Sequence, residues 1–297
     1  MIAPTILDTI GNTPLVRLDS FSAKPGVNVM AKLEGTNPSG SIKDRPALRM
    51  IECGEAHGQL YPGKTIVEAS SGNMGISLAM IGAVKGYKVK IFMSEAVSAE
   101  RRKILAAYGA DVVLTPAKEG TDGAIRRARA LVAEHPDDYY MPDQFSNKGN
   151  YMAHFISTAA EILQQTRGRV DYVVSAIGTS GTLMGLSKYL KAANPDIKIV
   201  CAQPVKGHYI QGLKNLEEAI VPAIYNPERI DVQEMIETEE AFEMARRIIR
   251  QEGIFVGMSS GAAMVAATRV ASRLDRGNIV VIFPDRGEKY ISTALFK

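Results

Sequence analysis

Three segments carry residue types that can do chemistry together. The first is Asn37-Pro38-Ser39-Gly40-Ser41-Ile42-Lys43-Asp44-Arg45, between a strand ending near Glu34 and a helix. In the first turn of that helix, Lys43 would meet the positive end of the dipole, and burial acts in the same direction. Both lower a lysine pKa toward a free amine able to form a Schiff base. Alone, the segment also suits an exposed lysine paired with a nearby acid. The other two segments are strand-to-helix joints, Glu68-Ala69-Ser70-Ser71-Gly72-Asn73-Met74-Gly75 and Ala176-Ile177-Gly178-Thr179-Ser180-Gly181-Thr182. Ligands of parallel sheets bind beyond the carboxyl ends of the strands, where a helix N-terminus offers free N–H groups. Each joint is therefore a candidate anion cradle, or else a tight turn with a Ser or Thr cap. Neither has the Walker lysine or the spacing of a dinucleotide fingerprint. One cradle for a phosphate, one for a carboxylate and a lysine for an aldehyde are what pyridoxal phosphate needs when it acts on an amino acid.

The elements that must position these residues are legible as alternation. Strands are predicted at Val29–Leu33, Thr65–Ala69, Lys88–Met93, Asp111–Leu114, Tyr172–Ala176, Lys198–Ala202 and Asn278–Phe283. Helices are predicted at Asp44–Ala56, Asn73–Val84, Ala99–Tyr108, Asp122–Glu134, Tyr151–Gln165, Thr182–Ala193, Glu239–Glu252 and Gly261–Leu274. This spacing predicts an α/β chain built from βαβ units with parallel sheets. Ser98 and Thr238 are expected to cap the helices that follow them. Helical patterning lapses from His135 to Asn150, read as a domain boundary, and from Gln203 to Ile236, read as a substrate-facing loop.

Composition narrows the class. The 297 residues are 46% apolar and carry 35 basic against 32 acidic side chains, a net charge of +3, which excludes a disordered chain and a nucleic-acid footprint. The basic clusters Arg101-Arg102-Lys103, Arg126-Arg127 and Arg246-Arg247 read as solvated helix faces. No apolar run reaches the roughly 18 residues of a membrane span, and no secretory signal is recognisable. Cys53 and Cys201 lack CxxC partners, and His57, His135, His154 and His208 are scattered without metal-ligand spacing. A reducing, cytoplasmic setting is expected, with no metal, no nucleic acid and no membrane. The cysteines and most of the methionines and histidines read as packing or surface residues; of the histidines, His208 has the best prospect of touching substrate.

The chain resembles the cysteine synthase (O-acetylserine sulfhydrylase) family of fold-type II pyridoxal-phosphate enzymes, nearly end to end. Thr9-Ile10-Gly11-Asn12-Thr13-Pro14-Leu15-Val16 is similar to its N-terminal signature, and Lys32-Leu33-Glu34 with Asn37 to Arg45 to its cofactor-lysine segment. Ser71-Gly72-Asn73 resembles the asparagine loop and Gly178 to Thr182 the phosphate loop. Gly257-Met258-Ser259-Ser260-Gly261 and Asp285 to Thr293 resemble the C-terminal signatures. Lys43-Asp44-Arg45-Pro46-Ala47 and Asp285-Arg286-Gly287 are closer to the B type than to the A type. The resemblance implies two domains, each a twisted, mostly parallel sheet flanked by helices, with the active site in the cleft. A larger cofactor-binding domain would comprise 1–36 and 147–297, and a smaller mobile one 37–146.

It also implies roles. Lys43 would hold the cofactor as an internal aldimine and, once freed, remove the Cα proton. Asn73 would meet the ring hydroxyl oxygen. Gly178, Thr179, Ser180, Gly181 and Thr182 would hold the phosphate. Ser70, Ser71, Gly72, Met74 (through its backbone) and Gln144 would hold the substrate carboxylate. Asp285, or failing that Ser259, would face the pyridine nitrogen; Asp285 could instead pair with Arg286 or Lys289. Lys214, in a segment similar to one in relatives that use O-phosphoserine, would meet a substrate phosphate or else be a solvated loop lysine. The implied reaction eliminates an activated serine ester to an aminoacrylate and adds sulfide or thiosulfate, giving cysteine or S-sulfocysteine by ping-pong kinetics. A homodimer is implied, and whether an acetyltransferase partner binds is left open.

Two departures stand out. Met74 replaces the Thr of the usual Asn-Thr-Gly, removing a side-chain donor, and Ser180 replaces Gly or Thr. The competing readings are a cystathionine β-synthase-like enzyme, a serine or threonine dehydratase, or a silent binding protein on the same fold. Dehydratases usually have Phe before the cofactor lysine, where Ile42 stands, and no regulatory domain is expected after Lys297. Intact Lys43, Asn73 and phosphate loop weigh against a silent protein.

Overall fold

The computed structural model describes residues 2–22 and 24–297. In chain order its regular elements are β1 (Leu15–Arg17), β2 (Val27–Leu33), α1 (Asp44–Ala56), β3 (Thr65–Ala69), α2 (Asn73–Lys85), β4 (Lys88–Ser94), α3 (Ala99–Ala107), β5 (Asp111–Thr115), α4 (Gly120–Glu134), β6 (Tyr139–Tyr140), α5 (Lys148–Ala153), α6 (Ala159–Thr166), β7 (Tyr172–Ala176), α7 (Gly181–Ala193), β8 (Lys198–Pro204), β9 (Val232–Ile236), α8 (Thr238–Glu252), α9 (Met258–Ser272) and β10 (Gly277–Phe283). One π-helical turn, His154–Thr158, joins α5 to α6. Two sheets result: a six-stranded one ordered β1-β2-β10-β7-β8-β9 and a four-stranded one ordered β5-β4-β3-β6. Only β1 runs antiparallel to its neighbour. The central parallel strands are covered on both faces, which is why β10 reads as the near-continuous apolar run Ile279–Phe283 and is buried there.

Every predicted strand and helix is present, with ends shifted by a few residues. Three strands were not predicted. β1 and β6 are too short to show a period. β9 lies in the segment read as loop, because its inward positions include Glu234, which is buried beneath Arg269 and Arg273 (2.7 Å from the latter). Two caps differ from expectation. Ser98 precedes α3, but its hydroxyl donates to the Lys289 carbonyl at 2.8 Å instead of closing the helix. Thr238 is the first residue of α8, and Glu237 caps it in a reciprocal box with Glu240.

A buried ionic cluster joins the N-terminal strand pair to α1 and α6. Arg45 grips Glu34 through Nε (2.7 Å) and Nη2 (2.8 Å), and Glu161 through Nη1 (2.6 Å) and Nη2 (2.8 Å). Lys32 donates to Glu161 at 2.7 Å and to the Thr13 carbonyl at 2.7 Å. Burial alone would raise the Glu161 pKa, but hydrogen bonds and charge from Arg45 and Lys32 hold it down at about 2, below its ordinary 4.5. A depressed carboxylate stabilises the fold fully above the unfolded value, and that stabilisation is lost as pH falls through the folded one. Thermal melts should therefore lose stability between about pH 4.5 and pH 2, and Glu161→Gln should flatten that limb while lowering Tm at neutral pH.

Candidate active site

A single cleft lies at the carboxyl ends of β3 and β7, between the two sheets. Its wall includes Lys43, Ser70, Ser71, Asn73, Met74, Gln144, Gly178, Thr179, Ser180, Thr182, Lys214 and Ser259, all predicted from sequence. Gly72, Gly181 and Asp285 stand outside this wall.

Lys43 occupies the cap position of α1, one residue before the helix proper. Its loop is held from three sides. Ile42 N–H donates to the Pro284 carbonyl at 2.8 Å, and Ser41 bridges to Asp285. Asp44, fully buried, accepts the Ser39 N–H at 2.8 Å, the Ser39 hydroxyl and the Ser77 hydroxyl of α2 at 2.6 Å. The Lys43 ε-amine takes no hydrogen bond among the described residues. Burial pulls its pKa down to about 8, with Asp285 opposing. The sequence expectation of a lowered lysine thus holds, and desolvation is the main cause.

The β7–α7 joint is built to receive an anion. Ser180 precedes the helix at φ 65°, a left-handed conformation rare for a residue with a side chain, and its buried hydroxyl has no partner among the described residues. Thr179 accepts from Asn150 Nδ2 at 3.0 Å. A Cβ on Gly181 would overlap Asn150 Oδ1, so only glycine lets the backbone lie this close. An orphaned hydroxyl beside free helix N–H groups, opposite an unpaired amine, is the donor set that a phosphorylated aldehyde requires, so these residues fit pyridoxal phosphate. Gly181→Ala should push the loop off Asn150 and weaken cofactor affinity by about 10- to 100-fold, the cost of a forced overlap. Cofactor titration of the apoenzyme, followed by visible absorbance, checks this.

The β3–α2 joint is the second cradle. The Ser70 hydroxyl oxygen accepts the N–H of Gly72 and of Gly75, each at 3.0 Å, and its proton is free to donate. Gly72 turns at φ 140°, which only glycine adopts readily. Gln144 Nε2 donates to the Ala69 carbonyl at 2.9 Å. Glu68, fully buried beneath the loop, accepts Ala69 N–H at 2.9 Å and Gln144 N–H at 3.2 Å, and burial with Asp143 nearby pushes its pKa up to about 8. Met74 is buried at the wall, and its backbone N–H lies in the first turn of α2, where helix donors lack partners.

Four sequence readings need correction. Asp285 pairs with neither Arg286 nor Lys289: Arg286 bonds Glu288, and Asp285 Oδ2 accepts from Asn73 Nδ2 and from the Tyr290 hydroxyl, both at 2.7 Å. Asp285 is buried off the cleft wall behind Asn73 and Tyr290, whereas Ser259, in the first turn of α9, lies on the wall. Lys214 is not solvated: it is 9% exposed, ion-paired with Asp122 at 2.9 Å and set over the Phe145 ring. Arg101 is not on a solvated face: it is 1% exposed, with Nη1 donating to the Ser71 carbonyl at 2.6 Å. His208 accepts the Thr238 N–H at 3.0 Å and is not on the wall.

Sequence reasoning missed Lys289, which is buried and donates to the Gly40 carbonyl (3.1 Å) and to Asn73 Oδ1 (3.0 Å). Burial lowers its pKa to about 8. It also missed Tyr209 and Gln211 on the wall, although both lie in the segment read as substrate-facing. Buried His154, held neutral by burial and nearby Lys43 and Arg45, packs beneath Thr182. Cys201 is buried with its thiol pushed up to about 12, unsuited to nucleophilic work.

Residues 6–285 match the family described as pyridoxal-phosphate dependent enzyme. A cysteine synthase of Aquifex aeolicus is 46% identical, covering 98% of this chain and 92% of its own. The cysteine synthase B of Pseudomonas aeruginosa is 44% identical, covering 99% and 97%. A solved cysteine synthase from Entamoeba histolytica superposes with a TM-score of 0.93 at 40% identity, over 100% of this chain and 91% of that one.

Proposed function

The chain belongs to the pyridoxal-phosphate dependent enzymes, among the B-type cysteine synthases, and on that premise we propose that it replaces the acetate of O-acetylserine with sulfide or thiosulfate, giving cysteine or S-sulfocysteine. The observation that carries this reading is one amine, Lys43, lowered to about 8 and facing the same cleft as two donor-rich helix N-termini. When bound, the cofactor supplies an aldehyde for Lys43 and an electron sink for the Cα–H bond.

The protein's own residues do the rest. Gly178 to Thr182 would hold the phosphate by backbone N–H groups and the Ser180 hydroxyl. Asn73 would meet the ring hydroxyl with its remaining amide proton. Ser259 is better placed than Asp285 to meet the pyridine nitrogen. Ser70, Ser71, Gly72, Gln144 and the Met74 N–H would take the amino-acid carboxylate. Lys43 Nζ would remove the Cα proton as acetate leaves Cβ; the sulfur nucleophile would then bond Cβ, and the same amine would return the proton to Cα. An amine near 8 can both hold and release a proton at neutral pH. The two sheets support a larger unit of 1–36 and 147–297 and a smaller one of 37–146, whose mobility is what the family resemblance implies. No helix among the described residues is long and apolar enough to cross a membrane. We read the protein as a cytoplasmic homodimer acting on small molecules.

Between the two esters, the geometry favours O-acetylserine. The Lys214 ammonium is already neutralised by Asp122, and a substrate phosphate would have to displace that carboxylate. Cysteine formation from each ester with sulfide tests the reading. Turnover with O-acetylserine is expected, and Lys214→Ala should affect the two esters alike. Preference for O-phosphoserine, lost selectively in Lys214→Ala, would reverse the assignment; no product from either ester would overturn the function.

A further inference from the structure

Arg101 is among the largest fully buried side chains of the protein, and its charge is incompletely matched. Nη1 donates to the Ser71 carbonyl, but Nε and Nη2 have no hydrogen-bond partner among the described residues. The side chain is moulded to the carboxylate-binding joint: a Cβ on Gly72 would overlap Arg101 Cδ. On its other side the guanidinium lies over the Tyr290 ring, 4.7 Å from the centroid, and Nη2 stops 3.7 Å short of Asp285 Oδ2. The second oxygen of Asp285, Oδ1, is likewise buried without a partner among the described residues. Nη2 is thus a buried donor 3.7 Å from Oδ2, which already accepts from Asn73 and Tyr290, a gap slightly too wide for a hydrogen bond. A charge-assisted bond at about 2.8 Å to that oxygen would satisfy Nη2.

Asp285 is itself bonded to Asn73 and Tyr290, and Asn73 to Lys289. We propose that Arg101 is a positioning residue that couples the Ser70–Asn73 joint to Asp285, so that a shift of the joint when a carboxylate seats on it is carried by the guanidinium to Asp285 and tightens the segment 285–290. The proposal rests on the assignment of that joint to the amino-acid carboxylate. Because Ser71 and Gly72 are in direct contact with Arg101, a displacement at the joint reaches Asp285 through one buried side chain. Neither Arg101→Lys nor Arg101→Gln can span both partners. Lysine has a single head, and glutamine is shorter and uncharged.

Hydrogen exchange of the holoenzyme with and without L-alanine, an amino acid with no leaving group, tests the coupling. In the native protein, L-alanine should slow exchange in segments covering 70–75 and 285–290, each by at least about 5-fold, the lower end of site-to-site coupling. In both Arg101 variants the first segment should still respond and the second should not. Equal responses of 285–290 in native and variant proteins would show that Arg101 only fills space, and would overturn the coupling. No response at 70–75 in the native protein would instead remove the carboxylate assignment on which the proposal stands.

Discussion

Lys43→Ala should abolish cysteine formation, lowering kcat by about 10⁴-fold, the upper end of what a positioned general base contributes. The protein should still fold, because the Lys43 amine makes no hydrogen bond among the described residues and its removal takes a desolvated charge out of the cleft. The variant should bind pyridoxal phosphate without a covalent link, so borohydride, which fixes a lysine-linked cofactor, should leave it unlabelled. Lys43→Arg should be equally inactive: a guanidinium stays charged and offers no free amine. Activity within about tenfold of native in either variant would move the base elsewhere, and Lys289, the second buried amine near 8, would be the next residue to replace.

The second large effect concerns stability. Arg45→Ala leaves Glu34, at 0% side-chain exposure, without its cation, and leaves Glu161 with Lys32 alone. Removing one partner from a buried ionic cluster costs about 3–5 kcal/mol, because the remaining charges stay desolvated. For a chain of this size that corresponds to a fall in Tm of roughly 5–8 °C. Arg45 is adjacent to Asp44, which holds the lysine loop, so the variant should also bind cofactor less tightly. A Tm within about 2 °C of native would show that water enters and replaces the guanidinium.

Much of this was legible in the chain because it is local. The strand-helix alternation, the two Gly-, Ser- and Thr-rich joints and the placing of Lys43 before a helix depend on residues within a few positions of each other. What was illegible depends on residues far apart. Arg45 meets Glu161 across 116 positions, Lys214 meets Asp122 across 92 and Asn73 meets Asp285 across 212, and no spacing rule reaches that far. Arg101 misled for a related reason. Beside Arg102 and Lys103 it has the composition of a solvated turn, yet its helix points it inward at the Ser71 carbonyl. Glu234 hid β9 by placing a charge where alternation calls for an apolar residue, a choice made possible by Arg269 and Arg273 above it.

The central claim is that Lys43, the two cradles and pyridoxal phosphate form one working site for an activated serine. The visible absorption spectrum of the purified protein, titrated with O-acetylserine in the absence of sulfide, tests it most directly. A yellow protein whose cofactor band shifts on adding the ester, with one acetate released per site, and returns on adding sulfide is the result this structure predicts. A colourless protein that pyridoxal phosphate cannot reconstitute would contradict it.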